Sequence, residues 1–180
     1  METGHGTGGG AVVVGFDGSP SAEAALHHGL DEASRRGVGV RVVAAHEPPD
    51  TWAVPYGEFS PSENSDARLA TQDRTRRRVE EITGSLDVAL RAVPVEVVAI
   101  TGSAAAVLVQ EAEGAALLVI GHRGRGAIRS ALLGSVSLSV VLHAPCPVTV
   151  VPPPVTPPVE SGRDEAAAVL DGPLAVGPIV

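Results

Sequence analysis

The chain has 180 residues, 44% hydrophobic and only 2% aromatic, so one core with appendages is expected, filled by Val, Leu, Ile and Ala. Its net charge of -8 disfavours general binding to nucleic acid or an anionic membrane, and all 13 basic residues are arginine, which excludes P-loop and Schiff-base chemistry that needs lysine. A lone Cys146, a leader-free start METGHGTGGG and apolar runs far below the roughly 18 residues that span a bilayer set the expectation of a soluble chain in a reducing cytoplasm.

In chain order, residues 1–10 are Gly-rich and unpatterned and read as a flexible tail. An apolar run at Ala11 to Phe16 predicts a strand, and Ser19 followed by Pro20 supplies an N-cap and a favoured first helical residue. The helix then runs to Arg36, with Ala22, Ala25, Leu26, Leu30 and Ala33 as its buried stripe and Gly37 as its stop. A second strand at Val38 to Ala45 completes a βαβ unit.

From Glu47 to Asp66 four prolines and the absence of any period predict a long surface loop, followed by a polar helix near Ala67 to Thr83. Trp52, Tyr56 and Phe59 could make that loop a lid or simply pin it to the surface. The remaining pattern gives a strand at Val93 to Ile100, a helix at Ala104 to Glu113, a strand at Ala115 to Ile120, a glycine-rich loop, a helix ending near His143 and a strand at Pro147 to Val151. Strands alternating with helices imply a parallel sheet with right-handed crossovers. Residues 152–180, opening PPPVTPPVESG, read as a Pro-rich disordered tail, leaving 11–151 as the domain.

The loop after the buried strand ALLVIG carries the chemistry. It reads Gly121-x2-Gly124-x9-Gly134-Ser135, and a glycine loop leaving a central strand of an open α/β sheet lies where ligands bind. Glycines let the main chain approach an anion, and amides of a nest or helix N-terminus hold phosphate without lysine. Ser135 and Ser137 could cap the following helix or donate to phosphate. No Asp or Glu occurs from Gly114 to Val159, while Arg123, Arg125 and Arg129 fall within the loop, so either a local positive field or a solvated arginine loop is expected.

Together the segments VVVGFDGS, VVAAHEPP, GHRGRG to LLGSVS and HAPCPVTVV resemble the ATP-binding branch of the universal stress protein family over about residues 11 to 151. The resemblance implies one doubly wound α/β domain, a five-stranded parallel sheet of order 3-2-1-4-5 with helices on both faces. It also implies a homodimer formed through the last strand, with ATP as ligand. On the same basis Asp17 and Ala45 border the adenine, Gly121 and Gly124 approach ribose and phosphates, and Gly134, Ser135, Val136 and the neighbouring Ser137 hold phosphates. Asp17 before Gly-Ser could equally shape a turn. Ala104 and Ala116 depart from the family's common pattern, which has Pro and an acidic residue there.

The six histidines show no metal-ligand spacing with one another or with Cys146, and His122 reads as either a phosphate contact or a solvent-facing loop residue. Cys146 reads as a small apolar residue rather than a nucleophile. A phosphoryl-transfer enzyme needs a base, charge clamps and metal ligands, of which only Asp17, as an indirect neighbour of Mg²⁺, is visible. The expected function is therefore a nucleotide-dependent regulator in stress response, with at most slow ATP hydrolysis. The alternatives are a scaffold that binds no nucleotide and a weak ATPase.

Overall fold

The computed structural model describes residues 10–47, 61–122 and 133–152. Strand β1, Val12–Gly15, runs through Asp17 and Gly18 into helix α1, Pro20–Arg36. The predicted cap is present: the Ser19 hydroxyl accepts from Ala22 N at 3.3 Å, Pro20 opens the first turn, and Gly37 closes the helix at φ 66. A side chain would be strained in that left-handed conformation. All five residues of the expected stripe are buried, with Leu26 and Leu30 fully so.

Strand β2, Val40–His46, is followed by helix α2, Pro61–Gly84, the short helix α3, Val88–Arg91, and strand β3, Val95–Thr101. Helix α2 starts at Pro61, so the expected loop to Asp66 is corrected: proline, read there as a breaker, occupies the first helical position, where its missing N–H and fixed φ are favourable. Helix α3 was not expected. It is one turn held by Asp87, whose carboxylate accepts from Leu90 N at 3.0 Å. Helix α4, Ala104–Glu111, strand β4, Leu117–Gly121, helix α5, Ser135–His143, and strand β5, Val148–Val151, complete the chain order.

All pairings are parallel and the sheet order is β3-β2-β1-β4-β5, as the resemblance implied. Because side chains alternate along a strand, Val12 and Val14 pack with α1 and with Val79 and Ile82 of α2 on one face. Val13, Leu118 and Ile120 pack with Val107 and Leu108 of α4 and Val140 of α5 on the other. Winding runs outward from β1 through β2 to β3 and resumes at β4, so the reversal point lies where β1 and β4 end side by side. No described helix is long and apolar enough to cross a membrane.

Candidate functional site

At the end of β1, Asp17 Oδ1 accepts from Ser19 N at 2.9 Å, a local turn that leads into the capped start of α1. The turn-shaping reading of Asp17 is therefore realised, and its carboxylate still lines a cleft. That cleft, about 390 Å³, is bounded by Phe16, Asp17 and Gly18 after β1, Ala44 and Ala45 of β2, and Thr71, Arg74, Thr75 and Arg78 of α2. Two of the predicted residues, Asp17 and Ala45, are thus brought together across adjacent strands. The four α2 residues are additions. Their spacing at i, i+3, i+4 and i+7 places them on one helical face, but in a run polar at nearly every position that spacing is no signal in the sequence.

A second group assembles at the end of β4. A Cβ on Gly121 would stand 2.8 Å from the Ser21 carbonyl carbon and 3.0 Å from Ala22 N, so only glycine lets β4 end against the first turn of α1. From there Gly134 N donates to the His122 carbonyl at 3.1 Å, and Ser137 Oγ lies 2.9 Å from the Gly121 carbonyl and 3.3 Å from that of His122. Ser137 is 4% exposed, and these bonds close the neck of the glycine-rich segment. Gly124, Arg123, Arg125 and Arg129 lie outside the described residues, as do Trp52, Tyr56, Phe59 and both tails.

Beyond the neck, Gly134 caps α5 with extended backbone and no side-chain acceptor. The first helical bond runs from Leu138 N to the Gly134 carbonyl at 2.9 Å, which leaves the N–H groups of Ser135, Val136 and Ser137 ahead of it. These amides sit at the positive end of the α5 dipole. Ser135 is exposed while Ser137 is buried, so the two hydroxyls predicted as equivalents differ: Ser137 ties the neck and Ser135 is free to face a ligand.

His122 is half-buried. Its Nδ1 is buried without a hydrogen-bond partner among the described residues, while its backbone N–H donates to the Val151 carbonyl at 2.7 Å. Burial raises the Cys146 thiol pKa, partly offset by a hydrogen bond from the Leu118 backbone, which keeps the sulfur protonated and poorly nucleophilic. No cluster of three or more metal-ligating side chains occurs among the described residues.

The architecture is that of doubly wound α/β proteins with a cleft beyond the carboxyl ends of their strands. The sequence profile described as "Universal stress protein family" matches residues 10–152, and the chain belongs to that family. A universal stress protein of Mycobacterium tuberculosis is 37% identical over 139 residues, which cover 77% of this chain and 44% of that protein. One from Thermus aquaticus is 36% identical over 144 residues, covering 78% of this chain and 96% of that one. The chain spans about half the length of the mycobacterial relatives.

Among solved structures, UspA from Lactobacillus plantarum superposes with a TM-score of 0.61 at 20% identity, covering 79% of this chain and 97% of its own. A universal stress protein in complex with cAMP gives 0.56 at 24% identity, covering 82% and 100%. One from Archaeoglobus fulgidus in complex with dAMP gives 0.50 at 24% identity, covering 79% and 97%. At these identities the solved structures establish the shared fold.

Proposed function

We propose that this protein binds ATP across the carboxyl ends of β1, β2 and β4 and acts as a nucleotide-dependent regulator in stress response. The observation that carries the reading is the cleft that Asp17 and Ala45 line, at the same carboxyl end of the parallel sheet as the neck at Gly121 and the uncapped start of α5. Adenine enters the cleft, bordered by Asp17 and Ala45. Ribose and phosphates extend past Gly121 and Gly124 toward Gly134, Ser135, Val136 and Ser137. Structural neighbours solved with cAMP and dAMP support an adenine nucleotide as the ligand class.

Asp17 is the one carboxylate lining the cleft among the described residues, so Mg²⁺, which keeps several waters and binds through one or two carboxylates plus substrate phosphates, would travel with the nucleotide. No further general base accompanies it among the described cleft residues, which fits a binder with at most slow hydrolysis rather than an efficient ATPase. Titration calorimetry tests the reading: micromolar ATP affinity, about -8 kcal/mol, with the nucleotide recovered intact after long incubation, is expected. Rapid turnover would favour the ATPase. A scaffold without nucleotide has one observation in its favour, since packing against Ser21 and Ala22 by itself accounts for glycine at 121.

The same reading includes a homodimer through β5. The Val97 and Ala99 carbonyls of β3 accept from the Gln72 and Arg68 side chains, so α2 covers that edge of the sheet. On β5 the Pro147 and Val151 carbonyls face β4, which turns the backbone groups of Val148 and Val150 toward the open edge. Such an edge invites pairing with a second copy. Light scattering of a folded Val150→Pro variant should show a shift to monomer, and an unchanged dimer removes the proposal.

A further inference from the structure

Helix α2 presents Thr71, Arg74, Thr75 and Arg78 to the cleft, although a helical face laid on a sheet is normally apolar, as it is one turn later at Val79 and Ile82. The hydroxyls of Thr71 and Thr83 bond the carbonyls four residues earlier, at 2.9 Å each. Thr75 does not. Its side chain is largely buried, 8% exposed, and its hydroxyl, which has no hydrogen bond among the described residues, is left open to the cleft, where a ligand can take it.

The two arginines differ in the same way. Arg78 is held by Glu23, at 2.6 and 2.8 Å, and by Glu81 at 3.0 Å. Arg74 is exposed at the cleft and has no ion pair or hydrogen bond among the described residues. Opposite this donor wall lie the small apolar side chains of Ala44 and Ala45 and the buried Phe16. An apolar floor with donors on one side and the Asp17 carboxylate on another suits a flat heteroaromatic ring that offers both lone-pair nitrogens and an exocyclic amine.

We infer that the Thr75 hydroxyl and Arg74 guanidinium are specificity-determining contacts to the purine base, donating to its ring nitrogens. The inference rests on the nucleotide reading above and assigns the base-reading role to α2. Adenine matches this set because its amino group can donate to Asp17 while its ring nitrogens accept. Guanine places a carbonyl oxygen where adenine has the amine, against the carboxylate.

The test compares ATP and adenosine affinities of the full chain with those of Thr75→Val and Arg74→Ala, alongside thermal unfolding without ligand. Each variant should lose about fivefold to tenfold in affinity for both ligands, the value of one hydrogen bond, with the ATP-to-adenosine ratio unchanged. Thr75→Val should unfold at the same or a higher temperature, because it removes an unpartnered hydroxyl. The inference is overturned if the unaltered protein binds both ligands and the folded variants bind them equally well, or if only ATP affinity falls, which would make the wall a phosphate contact. A lowered unfolding temperature of ligand-free Thr75→Val overturns it too, by showing an internal structural role. If the unaltered protein binds neither ligand, the nucleotide reading fails with it.

Discussion

The two sides of the site use polar groups in opposite ways. Around the end of β4, Gly134 N and Ser137 Oγ bond to backbone carbonyls of Gly121 and His122, so much of the glycine–serine motif holds the chain to itself. At the cleft, the α2 wall keeps the Thr75 hydroxyl and Arg74 guanidinium without protein partners among the described residues. A motif that reads as phosphate chemistry is thus in part a construction that holds the start of α5, while a helix that reads as merely polar carries groups that face the cleft without protein partners among the described residues.

The comparison breaks most readily at the loop. Gly124→Asp sets a carboxylate against phosphate, and like charges brought together cost several kcal/mol, so ATP affinity should fall by more than about a hundredfold. Retained affinity in the folded variant, measured by calorimetry, would place the phosphates elsewhere. Next in size is Gly121→Ala, whose methyl meets the backbone of Ser21 and Ala22. Overpacking of that kind costs about 1–3 kcal/mol, readable as an earlier urea midpoint with or without nucleotide, and an unshifted midpoint would leave ligand approach as the only reason for glycine there.

Ser137→Ala sharpens the contrast. Loss of the neck bonds should lower stability by about 1 kcal/mol, whereas Ser135→Ala, at an exposed position, should leave the urea midpoint nearly unchanged and weaken ATP. If the two serines respond alike, the division between neck and ligand contact is wrong. The smallest effect concerns the arginines of the loop: raising salt from low to physiological strength should weaken ATP binding more than adenosine binding, because only the charged ligand is drawn by a screened field. Equal salt sensitivity would leave the backbone amides as the phosphate contacts.

Much of the fold was legible because local signals agreed. Ser19-Pro20 and Gly37 bound α1 as expected, and valine runs marked β1, β2 and β5. The strand order, by contrast, came from family resemblance, since periodicity fixes an element's type and not its neighbours. Pro61 was misread because proline both breaks loops and starts helices, and α3 escaped notice because one turn pinned by Asp87 has no period to detect.

For the site, Asp17 and Ala45 were found through the motif and do share a cleft, but nothing in a linear reading tells Thr75 from a solvated helix residue. Its burial depends on α2 packing against β2 and β3, which brings Thr75 to the cleft beside Phe16 and Ala44. Ser137 was paired with Ser135 for the converse reason: adjacency in a motif does not reveal that one hydroxyl faces inward.

Native mass spectrometry of the freshly purified protein, followed by release and identification of the ligand, tests the central claim most directly. The account predicts an adenine nucleotide, ATP foremost, at one per chain, displaced when Gly124→Asp is purified in parallel. Protein that carries no nucleotide and stays empty after incubation with millimolar ATP would contradict it.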